Sequence, residues 1–152
     1  MNDTDETTLE DRTARFERIA ASETATLLDG AEAVLDGETD VRVVQSPSPK
    51  LVMQRATDPV SGQPFNLGEV LVTTSEVELS DVKGFAMVPG KAERKALAGA
   101  VVDAAVAADH PVSRDLRAAL ADDAANRAER RQRAWAESRA TTVDFDVMED
   151  PA

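Results

Sequence analysis

The 152-residue chain has no cysteine and no tyrosine, and only one histidine, one tryptophan and four phenylalanines. Without cysteine there are no disulfides, no thiolate catalysis and no Cys-ligated zinc. So few aromatic rings cannot wall a large aromatic pocket. Basic residues are also scarce: 17 Lys and Arg stand against 29 Asp and Glu, for a net charge of -12 and a pI near 4.5. Nucleic-acid binding relies on basic surface to replace phosphate counterions, so a nucleic-acid partner is not expected. No apolar run approaches the ~18 residues a membrane span needs, so no membrane partner is expected either. The first residues, Met1-Asn2-Asp3-Thr4-Asp5-Glu6, are acidic and lack the apolar segment of a secretory signal. These exclusions leave the expectation of a soluble, cytoplasmic protein.

Apolar residues make up 42% of the chain, but 26 of them are alanine, and Leu, Ile, Val and Phe together number 33. A modest core and close helix packing through alanine follow. Acidic residues are spread along the whole chain, and lysines number four against 13 arginines. Such self-repulsion is relieved where salt shortens the screening length, a lever halophiles use, which points to a salt-rich cytoplasm.

Residues 1–8 are polar and acidic and are expected to be disordered. Leu9, Phe16, Ile19 and Ala20 recur near helical spacing, predicting a helix over Leu9 to Ala21. Ser22 is a candidate N-cap for a second helix with a Leu27, Leu28, Ala31, Val34 and Leu35 stripe, ended by Gly37. Val41–Val44 and Leu51–Ala56 read as strands separated by Ser46-Pro47-Ser48-Pro49, since proline cannot donate to a ladder. Asp58-Pro59-Val60-Ser61-Gly62 is a turn. Phe65 to Leu79 is one long strand or two broken at Thr73-Thr74-Ser75, and Phe85–Val88 returns beside it. Two helices follow, Ala92 to Ala108, stopped by Pro111, and about Arg114 to Ala140, capped by Ser113. Val143, Phe145 and Val147 alternate with polar neighbours in a terminal extended arm. The fold class is therefore α+β: an N-terminal helical hairpin, a central antiparallel β-sheet, two C-terminal helices and an arm. Residues 9–140 form one domain and 141–152 the arm.

No self-sufficient catalytic constellation emerges. His110 sits at a helix end, where an imidazolium suits the dipole. No metal site is expected, because a single histidine and no cysteine would leave carboxylates alone. Asp122-Asp123 and Glu76/Glu78 read as solvated surface. Two features exceed that background. On alternation Glu69 lies in line with Leu67 and Leu71, and Arg55 with Leu51 and Met53, so an Arg55–Glu69 pair would satisfy both charges. A bulge at Gly68 would instead turn Glu69 outward and put Val70 and Val72 inside. The second feature is the run Arg127, Arg130, Arg131, Arg133 and Arg139, which with Glu129 and Glu137 carries +3. It reads as a solvated face with Glu–Arg pairs, or as a docking face for an acidic partner or polyphosphate, with Trp135 as an anchor. The apolar stripe of the last helix (Leu116, Leu120, Ala124, Ala128, Trp135) is thin for its length, which leaves room for a partner chain.

The segment from Arg55 through Asp58, Gly62, Phe65, Leu67, Gly68 and Glu69 to Thr73 resembles the central motif of the PhnG family, a small subunit of the bacterial and archaeal carbon–phosphorus lyase system. Gly84-Phe85-Ala86-Met87-Val88-Pro89-Gly90 and the alanine-rich helix after it are similar to the next block of that family, and Ala140 to Met148 to its C-terminal signature. Phe16 stands where the family tends to have tryptophan, Ala92 where an acidic residue is expected, and Asp146 where an aromatic is usual.

The resemblance implies a hetero-oligomeric subunit that assembles with H-, I- and J-type subunits and acts with H-, I- and L-type components. Together these displace adenine from ATP by a phosphonate, forming ribose 1-phosphonate 5-triphosphate. It implies no catalytic residue and no cofactor in this chain, ATP being a substrate of the complex. Arg127, Arg130, Arg131, Trp135, Val143, Phe145 and Met148 are then the candidate interface. The competing readings are a free-standing acidic interaction or regulatory module, and an enzyme using Glu69 as base, which would need that carboxylate in a cleft.

Overall fold

Two helices open the chain, α1 over Asp3–Ala21 and α2 over Thr24–Leu35; the computed structural model describes residues 3–37 and 40–141. Helix α1 starts at Asp3 rather than Leu9, so residues 3–8, expected to be disordered, are helical. That stretch is acidic and free of Gly and Pro, a composition that suits the first turns of a helix. Ser22 does not cap α2. It is buried, and its hydroxyl donates back to the Arg18 carbonyl at 2.8 Å, closing the end of α1. Glu23 occupies the N-cap position, and its N–H donates to the Asp123 carboxylate at 3.0 Å, an acceptor supplied from a hundred residues away.

Three antiparallel strands follow in the order β1-β2-β3: β1 Val41–Thr57, β2 Pro64–Leu79 and β3 Val82–Pro89. The prolines do not divide β1. It is an edge strand, so the missing N–H groups fall where no ladder needs them, and the mismatch is absorbed by register shifts between Val43 and Gln45 and between Gln45 and Ser48. Nor do Thr73-Thr74-Ser75 break β2. All three are buried, and their hydroxyls have partners: Thr73 donates to Gly90 O, Ser75 to Gln45 O, and Thr74 accepts from Gln45.

Two helices close the described chain, α3 over Glu93–Ala107 and α4 over Ser113–Ala140. What ends α3 is Asp109, at φ 52°, ahead of Pro111. The His110 N–H bonds Ala105 O and the Asp109 N–H bonds Val106 O, a Schellman pair with aspartate in the left-handed position usually given to glycine. Helix α3 lies at the centre of the fold. Ala96, Ala98, Gly99, Ala100, Ala104 and Ala105 are all buried, so the helix approaches the sheet with little side-chain bulk between. Ile19, Leu27, Val34, Val77, Leu79, Val102, Val106, Leu116 and Leu120 complete the core around it. The outer face of the sheet is polar, with cross-strand pairs Arg42–Glu78 at 2.7 Å and Lys83–Glu76 at 3.2 Å. The expected α+β class stands, while the arm residues Val143, Phe145 and Met148 lie outside the described residues.

Candidate functional site

Strand β3 pairs with β2 only from Val72 to Leu79, whereas β1 pairs with β2 along its whole length. Beyond Val72 the first two strands continue as a bare two-stranded hairpin. Every position from Pro64 to Leu71 is exposed, and every position from Val72 to Ser75 is buried. The boundary is built by Gly90, at φ 76°, where β3 turns off the sheet; its N–H donates to Leu71 O at 2.8 Å. Gly84 has a different task. A Cβ there would overlap the Ala100 carbonyl and the Ala104 backbone, so only glycine lets β3 press onto α3.

Arg55, Asp58, Gly62, Phe65, Leu67, Gly68 and Glu69 all lie on this hairpin. At its tip the Asp58 carboxylate accepts the N–H of Val60 at 2.8 Å and of Ser61 at 3.4 Å, and these bonds hold its pKa below the ordinary carboxylate value. Gly62, at φ 69°, closes the turn with its N–H on Asp58 O. Gly68, at φ 143°, marks a bulge: Gln54 faces Gly68 and Arg55 faces Asn66, leaving Leu67 as the extra residue.

The register overturns the Arg55–Glu69 pair. Glu69 faces Met53, and among the described residues no ion pair joins the two charges, both of which are exposed. Of the bulge reading, Val72 is buried as expected, but Val70 stays exposed because, among the described residues, no layer covers the hairpin there. Glu69 therefore lies on open surface rather than in a cleft, which removes the arrangement a general base would need. What the hairpin does present is apolar area: Leu51 is 61% and Leu67 59% exposed, beside Met53, Phe65, Val70 and Leu71. Uncovered apolar strands of this kind mark interaction surfaces.

The last helix is a second uncovered element. Leu116 and Leu120 are buried at its start, yet every residue from Glu129 to Ala140 is exposed, Trp135 at 69%. Arg130 pairs with Glu23 at 3.0 Å and Arg133 with Glu129 at 3.5 Å, while Arg131 is exposed and Arg127 half-buried. Exposed pairs like these add ~0–1 kcal/mol each, so the arginine run is largely a solvated face that leaves its indole outward.

His110 is half-buried, and its Nδ1 accepts the Val112 N–H at 3.3 Å, so the ring helps shape the α3–α4 turn. Among the described residues no three His, Asp or Glu side chains gather as metal ligands, and no helix is long and apolar enough to cross a membrane. Asp103 of α3 falls in the alanine-rich block of the family resemblance, but it is not among the candidate site residues read from the sequence. Its Oδ1 accepts Arg15 Nε at 2.6 Å and its Oδ2 accepts the Phe85 N–H at 2.9 Å, tying α1, α3 and β3 together.

A family model described as "Phosphonate metabolism protein PhnG" matches residues 10–149. The chain belongs to the PhnG family. Among curated proteins no sequence matches it. Membership carries a role in phosphonate metabolism. Within this PhnG-family chain, Phe16 lies parallel to Phe85 with ring centroids 6.2 Å apart, closing α1 over β3. Ala92 is the N-cap of α3, where its N–H donates to Thr73 Oγ1 at 3.0 Å. Phe16 and Ala92 are both half-buried and make contacts within the fold, and Asp146 lies outside the described residues.

Proposed function

We propose that this chain is a structural, accessory subunit of a carbon–phosphorus lyase core complex. In this reading it assembles with H-, I- and J-type subunits, and together with the H-, I- and L-type components it supports the displacement of adenine from ATP by a phosphonate. The product is ribose 1-phosphonate 5-triphosphate. ATP is a substrate of the assembly and not a cofactor of this chain, and the assembly works in the cytoplasm.

The observation that carries the proposal is where the PhnG motif lies. Arg55 to Leu71 belongs to the uncovered hairpin, where side chains do little for the chain's own core. A segment that served only this chain's folding would sit in the layer between α3 and the sheet. The hairpin projects beyond that layer and exposes leucines on both strands, as a docking arm does. The exposed end of α4 with Trp135 offers a second contact. The proposal is tested by co-expressing the tagged chain with the other lyase subunits and identifying what co-purifies. Recovery of those subunits is expected, and recovery of the chain alone from cells that make them all would refute the assignment.

A further inference from the structure

We propose that the cleft between α1, α3, β3 and α4 binds a phosphoryl-type oxyanion through Arg12, Arg15, Lys83 and Arg117, a site independent of how the hairpin docks. The chain carries a net charge of -12. Yet these four cations line one cavity of about 410 Å³ together with just two carboxylates, Asp11 and Asp103. An adjoining recess again holds Asp11, Arg15 and Arg117 and adds Arg18.

The carboxylates cancel only part of this charge, Asp103 balancing Arg15. Both oxygens of Asp103 are occupied, one by Arg15 Nε and the other by the Phe85 N–H. Asp11 remains against Arg12, Lys83 and Arg117. Lys83 also meets Glu76 at 3.2 Å, outside the cleft, whereas Arg12 and Arg117 form no ion pair with any described carboxylate. Arg12, Arg15 and Arg18 follow one another at three-residue spacing on α1, which brings like charges together on one side of a helix and destabilises it. Helix α4 then adds Arg117 to the same place. An anion in the cleft would relieve that repulsion.

The class of ligand follows from the donors. Guanidinium groups present planar forks that match the paired oxygens of phosphoryl groups. Arg15 is already oriented: its Nε is held by Asp103, and its side chain lines the cleft while only 12% exposed. A further recess lined by Arg12, Arg15, Phe16 and Phe85 adjoins the cleft, so an organic group attached to the phosphoryl could lie along the rings.

The test is titration of the full-length chain with inorganic pyrophosphate by calorimetry, with amide shifts followed in parallel. Saturable binding is expected, with shifts centred on Arg12–Arg15, Lys83 and Arg117. Arg12→Gln with Arg117→Gln should weaken it by about tenfold or more, since each removes a charge-assisted contact. The control pair Arg131→Gln with Arg133→Gln, on the solvated end of α4, should change affinity by less than about twofold. Tighter binding of phenyl phosphate than of inorganic phosphate would identify an organic phosphoryl ester as the ligand, and the reverse order a free inorganic anion. Absence of saturable binding, shifts confined to residues outside the cleft, or equal weakening in the control pair would each overturn the proposal.

Discussion

Arg15 and Asp103 form the most deeply buried ion pair among the described residues, with Arg15 Nε 2.6 Å from Asp103 Oδ1 and the two side chains 12% and 16% exposed. Because the second oxygen of Asp103 receives the Phe85 N–H, one carboxylate fastens α1 and β3 to the central helix.

Removing one partner of such a pair strands the other. Asp103→Ala should cost about 3 kcal/mol, because the Arg15 charge stays in place with its partner gone and a backbone N–H loses its acceptor. Asp103→Asn keeps an acceptor for Phe85 and should cost less. Urea unfolding of both variants checks this, and a loss below about 1 kcal/mol for the alanine variant would contradict it.

Two glycines separate packing from conformation. In Gly84→Ala the added methyl meets the Ala100 carbonyl and the Ala104 backbone, neither of which can rotate away, so about 3 kcal/mol or outright misfolding is expected. In Gly62→Ala nothing lies within contact range, and the cost is only that of a left-handed backbone, about 1 kcal/mol. Thermal denaturation of the two variants should reproduce that order.

Acid should loosen the hairpin tip only below the ordinary carboxylate range. The Asp58 carboxyl is held below its ordinary pKa by the Val60 and Ser61 bonds, so it contributes order to the turn above the unfolded-state value. That contribution is lost as pH falls through the lowered, folded value. The Val60 and Ser61 amide shifts should therefore titrate together with the Asp58 carboxyl, in one step below the ordinary carboxylate range. In Asp58→Asn, whose amide oxygen can still accept both bonds, that step should vanish.

Trp135 is the chain's one tryptophan, and it is 69% exposed. Fluorescence of the isolated chain should be close to that of free indole in water and should change little on unfolding. If α4 docks against a partner, the emission shifts to the blue on assembly; unchanged emission in the assembled complex would remove Trp135 from the interface.

Much of the fold is local and could be read from the chain. The stripe of α2, the Asp58–Gly62 turn and the alanine-rich α3 each announce themselves within a few residues. What could not be read is what depends on distant neighbours. Pro47 and Pro49 end a central strand but merely bulge an edge strand, and edge position is a property of the sheet. Thr73 to Ser75 look like a break until their hydroxyls meet Gly90, Gln45 and the start of α3. Alternation placed Glu69 on an inward side, but a hairpin outside the helical layer has no inside. The residues of the PhnG motif were legible as a pattern and their exposure was not. The basic cleft, whose Arg117 stands a hundred residues from α1, left only the Arg12, Arg15, Arg18 spacing as a sign.

The most direct test of the central claim is co-purification of the other lyase subunits with the tagged chain, in its natural form and as Leu51→Asp with Leu67→Asp. Both leucines are exposed, so the substitutions should alter stability by less than about 0.5 kcal/mol each. The account predicts that the natural chain recovers the complex and that the doubly substituted chain, folded and equally stable, does not. Full recovery of the complex with both aspartates in place would contradict it.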